Sequence, residues 1–171
     1  MFLELALCDV ALGKPGSIRM EMEPFFPTIW TVFHDGCVDK VEGTIPGTVS
    51  VYVGIEYLRE RFSEPGEHFI VTLPDCVKLS FQLYDGENPI VDFAAIGDEC
   101  PAILSAEMEG DVCKVFMDNG IMELSSADGS IRLDTGREVP LEELLEVATT
   151  YWDEWEAKSR NGKSEQREPR I

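Results

Sequence analysis

A chain of 171 residues with 44% hydrophobic side chains is long enough to bury one core and too apolar to be disordered throughout. Against 14 basic side chains stand 33 acidic ones, a net charge of −19. A body so charged repels nucleic-acid phosphates and anionic membranes and attracts basic surfaces. The imbalance is uneven, since residues 1–157 hold 31 acids and 9 bases while the polar segment 158–171 holds five bases and two acids. The sequence therefore divides into one domain, 1–157, and a disordered tail, 158–171.

In chain order, residues 2–12 are apolar but interrupted by Glu4 and Asp9, with no Lys or Arg ahead of them. That reads as a strand, or else a buried helix, and not a signal peptide. Ser17 to Glu23 alternates, with Ile18, Met20 and Met22 on one face and Glu21 and Glu23 on the other. Thr28–His34 and Cys37–Glu42, separated by Asp35-Gly36, predict a β-hairpin closed by a primed turn. Val49, Val51 and Val53 share the face of a further strand, and Ile55–Phe62 predicts a short helix stopped by Pro65-Gly66. His68–Leu73 and Cys76–Tyr84 predict two strands, the second with Val77, Leu79, Phe81 and Leu83 inward.

A loop through Asp85-Gly86 and Asn88-Pro89 precedes Ile90–Ile96, and Ala102–Met108 fits strand or helix. Glu109-Gly110, Asn119-Gly120 and Asp128-Gly129 then punctuate three short strands, Val112–Met117, Ile121–Leu124 and Ser130–Leu133. From Leu141 an amphipathic helix carries Leu144, Leu145, Ala148, Tyr151, Trp152 and Trp155 on one stripe. Pro140 suits its first position, and Glu142 and Glu143 complement the positive end of its dipole. The expectation is an α+β single domain: a mainly antiparallel sheet, a short central helix, and the long C-terminal helix packed on the sheet.

Chemistry is hard to find in this pattern. No nucleophile elbow, zinc-protease helix or phosphate-binding Gly-rich loop occurs, so no catalytic residue, cofactor or metal is assigned. Cys8, Cys37, Cys76, Cys100 and Cys113 include no C-x-x-C pair, and with two histidines they form neither a zinc motif nor a disulfide scaffold. They read as small buried hydrophobes in a reducing, cytoplasmic compartment. His34-Asp35-Gly36-Cys37 groups a nucleophile, an acid and an imidazole, but neighbours in a tight turn splay apart. Glu21 and Glu23, roughly 7 Å apart on one strand face, fit an exposed surface as well as paired-carboxylate chemistry. An unrecognised enzyme would show itself by a deep pocket joining His34 or His68 to carboxylates.

The acidic surface is what remains. Between Leu79 and Cys113 stand Asp85, Glu87, Asp92, Asp98, Glu99, Glu107, Glu109 and Asp111, with no Lys or Arg. Carboxylates without local partners repel one another, and a basic partner would offset that cost. These eight acids, with Tyr84 and Phe93 as aromatic anchors, form the predicted partner-binding set.

The closing segment, Val139-Pro140-Leu141-Glu142-Glu143-Leu144-Leu145 followed by Tyr151-Trp152, resembles the C-terminal end of some bacterial immunity proteins of polymorphic toxin systems. The resemblance implies a cytosolic protein that binds one cognate toxin, of nuclease or nucleic-acid deaminase type, and occludes its active site. It supplies no binding residue. A DNA mimic or other anti-defence inhibitor is the rival expectation, and it would need carboxylates spaced along an extended face.

Overall fold

The computed structural model describes the backbone of residues 25–165 and the side chains of residues 25–160. The strands expected at 2–12 and 17–23, with Cys8, Glu21 and Glu23, lie outside the described residues, as does the end of the tail. The order is α1 (Phe25–Val32), β1 (Cys37–Gly43), β2 (Gly47–Gly54), α2 (Glu56–Arg59), β3 (His68–Cys76) and β4 (Lys78–Leu83), then α3 (Phe93–Glu99), β5 (Ile103–Glu109), β6 (Val112–Met117), β7 (Gly120–Ser125), β8 (Ser130–Leu133) and α4 (Leu141–Glu165). The chain is an α+β domain.

The strands divide into two four-stranded antiparallel sheets, ordered β1-β2-β3-β8 and β4-β7-β6-β5. Between β3 and β4 only Val77 intervenes, so the chain passes from one sheet to the other almost without a loop. Val77 sits at that corner and is 64% exposed, which removes it from the inward row expected with Leu79 and Phe81. Val49, Val51 and Val53 meet Leu73, Val71 and Phe69 across β2 and β3, and all six are buried. Their core is continuous with Leu79, Phe81, Val115, Met117, Met122 and Leu124 of the second sheet. Two sheets share one interior.

The hairpin expected from Thr28–His34 does not form. That segment lies in α1 and the turn that ends it, and β1 pairs with β2 instead. β-branched residues favour a strand here, but Ile29, Trp30 and Phe33 fall on one helical face and are fully buried against the second sheet. Phe26 interrupts the helix in an extended conformation, as a residue before proline prefers. Asp35 takes a left-handed φ of 67° and Gly36 donates to the Phe33 carbonyl, so this pair ends a helix and closes no hairpin.

Two segments left open by the sequence take definite form. Ile90 makes one isolated bridge to Phe81, after which Asp92 caps α3 by accepting from the Ala94 N–H. Ala102–Met108 resolves as strand β5.

α4 buries Leu144 and Ala148 in the shared core and lies against α1 and α2. It runs past Ala157 to Glu165, through the start of the segment expected to be disordered. Its apolar stripe is only half covered: Trp152 is 39% exposed and Trp155 53%. Among the described residues no helix is long and apolar enough to cross a membrane.

Candidate functional site

The single turn α2 and the loop after it organise the most structured polar region. Arg59 is 3% exposed, and its guanidinium donates to the Glu64 and Pro65 carbonyls at 2.8 and 2.9 Å and to Asp134 at 2.9 Å. The loop 60–67 is thus wrapped around a buried cation. Asp134, just beyond β8, also accepts from the backbone N–H groups of Glu67 and His68 at 2.6 and 3.0 Å. Burial alone would raise the Asp134 pKa, but Arg59 and the two N–H donors outweigh it and hold the carboxyl at about 2. Gly66 makes this possible: its φ is +137°, and a Cβ there would lie 1.8 Å from an Asp134 oxygen.

His68, at the start of β3, stands between two carboxylates. Its Nε2 lies 3.2 Å from Asp39 and its Nδ1 3.8 Å from Asp134. Asp39 is the extra residue of a bulge in β1, where Val38 pairs with Val53 and Lys40 with Tyr52. Bulges re-aim side chains. Here the carboxylate folds over Gly54, where a Cβ would stand 2.3 Å from its oxygen.

The Asp39 carboxylate also accepts from the Cys100 thiol at 3.4 Å, and the donor atoms of Cys37, Asp39 and Cys100 all lie within 4.8 Å of one another. Burial, with hydrogen bonds to Cys37 and Asp39, pushes the Cys100 thiol up to about 12, so it stands protonated. Among the described residues, these three have ligand-type atoms close enough together to share one metal ion. Cys76 and Cys113 are buried as expected, whereas Cys100 is exposed and Cys37 half-buried. Of the turn residues His34-Asp35-Gly36-Cys37, His34 lies 3.5 Å from Asp35 through its Nε2 and contacts the Leu104 carbonyl at 2.7 Å through its Nδ1, while Cys37 is grouped with Asp39 and Cys100.

Asp39 and His68 open onto a cleft of about 520 Å³ whose other walls include Glu56, Glu60, Glu64, Glu67, Ile55 and Phe62. Glu56 and Glu60 are one helical turn apart, so α2 turns both toward the cleft. Tyr57 and Arg61, also four residues apart, occupy the other side. There Tyr57 stacks on Tyr151 at 4.4 Å, and an edge-to-face series continues through Trp152 to Trp155. Arg61 lies over the Tyr151 ring and pairs with Glu154 at 2.8 Å. One helical turn therefore joins a carboxylate-walled cleft to an exposed aromatic ladder.

The chain matches no known family model, and no curated protein matches it.

The predicted partner-binding set is not gathered in one place. Tyr84, Asp85 and Glu87 follow β4, at the end of the second sheet where Leu83 meets Gly120. Glu107, Glu109 and Asp111 belong to the β5–β6 hairpin, whose turn lies at the opposite end, beside Leu124 and Leu79. Asp92, Phe93, Asp98 and Glu99 belong to α3, which packs on β1 of the first sheet. All eight acids are exposed, as is Tyr84, while Phe93 packs partly against the core. Their carboxylates are not uniformly unpartnered, since Glu109 pairs with Lys114 and Asp92 caps α3.

Proposed function

We propose that this protein is an acidic inhibitor that captures a basic partner at the α2–α4 face, acting as an immunity protein toward a cognate bacterial toxin. The observation that carries the reading is the junction at α2 of a carboxylate-walled cleft with an exposed Trp152–Trp155 ladder. Tyr, Trp and Arg are the side chains that most often anchor interfaces, and carboxylates in a concave wall receive Lys or Arg. Within 25–160, every Lys and Arg except Arg132 and Lys158 is already in an ion pair. Glu56, Glu60 and Glu67 are in none among the described residues, which leaves them for an external cation. The dispersed acids of 84–111 add to the field that steers a basic partner from a distance. A toxin of nuclease or nucleic-acid deaminase type presents such a surface, because Lys and Arg hold its phosphate-bearing substrate.

Capture of the tagged full chain's partners from the native host, at low and high salt, tests this. The expected result is one basic protein, released by salt, whose expression arrests cells lacking the inhibitor and is tolerated beside it. Capture should weaken with Trp155→Ala. Many DNA-binding proteins in place of one would favour the DNA mimic, and no partner would overturn inhibition and favour the enzyme reading, since the cleft joins His68 to carboxylates.

A further inference from the structure

Cys37 and Cys100 are 63 positions apart in sequence, and three local features bring them together. α3 packs on β1, so that the Val38 N–H donates to the Pro101 carbonyl at 3.0 Å and Cys37 bridges to Ala102. Cys100 caps α3 in the left-handed conformation, φ 43°, a position that favours glycine and at which a side chain is retained at a cost. The bulge in β1 then delivers Asp39 between the thiols and His68.

We propose that Cys37, Asp39 and Cys100 bind a zinc-class divalent ion, with His68 fixing Asp39 from behind. In a tetrahedral zinc site a sulfur and an oxygen ligand stand ~3.5 Å apart, and the Cys100 Sγ–Asp39 Oδ1 separation is 3.4 Å. Two thiolates and a carboxylate bring three negative charges to one cation, and both thiols would lose their protons on binding. Thiolate donors select zinc over magnesium or calcium, which take oxygen ligands. The other Asp39 oxygen is held by His68 Nε2 at 3.2 Å, an outer contact of the kind that orients a ligating carboxylate. Asp39 and Cys100 are exposed, so a fourth ligand can come from water or from a bound molecule. The site shares Asp39 with the cleft, but the proposal needs no partner and is independent of the inhibitor reading.

Cobalt(II) titration of the full reduced chain tests it. One equivalent should give a thiolate-to-cobalt charge-transfer band in the near ultraviolet, with visible bands of tetrahedral intensity, and zinc should displace both. Cys100→Ser, at an exposed position, should abolish the charge-transfer band or weaken affinity more than about tenfold. Asp39→Asn and His68→Ala should each weaken affinity about tenfold, with thiolate absorption retained. Cys76→Ala, at a thiol outside the site, should leave the titration unchanged. Thermal unfolding with and without zinc gives a second readout: the midpoint should rise for the native chain and not for Cys100→Ser. Absence of the band in the reduced chain overturns the proposal. So does a band that survives Cys100→Ser undiminished.

Discussion

The cleft beside α2 and the acid-rich stretch from Tyr84 to Asp111 are built on opposite plans. Around the cleft the inner charges are committed, Arg59 to Asp134 and two carbonyls and Asp39 to His68 and Cys100. Glu56, Glu60 and Glu67 converge on the same space without an ion pair among the described residues. In the stretch 84–111 acids are dense along the chain, yet the fold sends them to both ends of one sheet and to a helix on the other. Density in sequence is not convergence in space. The chain reverses direction at each turn between strands, so consecutive acids in loops scatter, while Asp39, His68 and Asp134 are collected from a bulge in β1, the start of β3 and the position just beyond β8.

The largest expected effect comes from breaking the cleft's inner pair. Asp134→Ala leaves a buried guanidinium uncompensated and should lower unfolding free energy by about 3 kcal/mol in denaturant titrations. Gly66→Ala should cost about 2 kcal/mol in the same measurement, because it forces a left-handed φ and drives a methyl group into the Asp134 carboxylate. The acid limb of stability gives the sign of the linkage. Asp134 has a folded pKa of about 2 against an ordinary 3.8, so its contribution is complete above the ordinary value and disappears as pH falls toward the folded one. Between those two values the native chain should lose stability more steeply than Asp134→Asn.

Trp155→Ala sharpens the comparison from the other side. Its ring is 53% exposed, so stability should change by less than about 0.5 kcal/mol while partner binding weakens by about 2 kcal/mol. The smallest effect is expected in the acid-rich stretch. Neutralising Asp85, Glu87 and Glu107 together should slow association a few-fold and flatten its salt dependence, leaving dissociation unchanged. Faster dissociation would move the interface from α2–α4 to those loops.

Much of the fold is legible in the sequence where one period dominates. The alternation at Val49, Val51 and Val53 and the spacing through Leu144 and Ala148 place β2 and α4 correctly. Thr28–His34 reads as a strand because Thr, Ile, Val and Phe carry that local preference, and burial of Ile29, Trp30 and Phe33 on one helical side overrides it. The site was less accessible. Arg59 looks like any surface arginine in IEYLRERF, and Cys37 and Cys100 carry no spacing signal because α3 and a bulge, not a motif, bring them together. The Pro65-Gly66 pair and the acids flanking it before His68 are a faint trace of the loop around Arg59. Trp152 and Trp155 share a stripe with Leu144 and Ala148, and periodicity alone cannot tell where a long helix outruns the body beneath it.

The ladder on α4 gives the molecule an optical consequence. Trp30 is fully buried and insulated from solvent, while Trp152 and Trp155 sit in water's reach, Trp152 against Tyr57 and Trp155 against Trp152. Tyr57 belongs to the same helical turn that walls the cleft with Glu56. Whatever enters the cleft and shifts that turn changes the surroundings of two emitters, against a third that stays constant. The protein therefore carries its own fluorescent gauge of occupancy, red-edge emission from the pair and a blue baseline from the core, with no label attached.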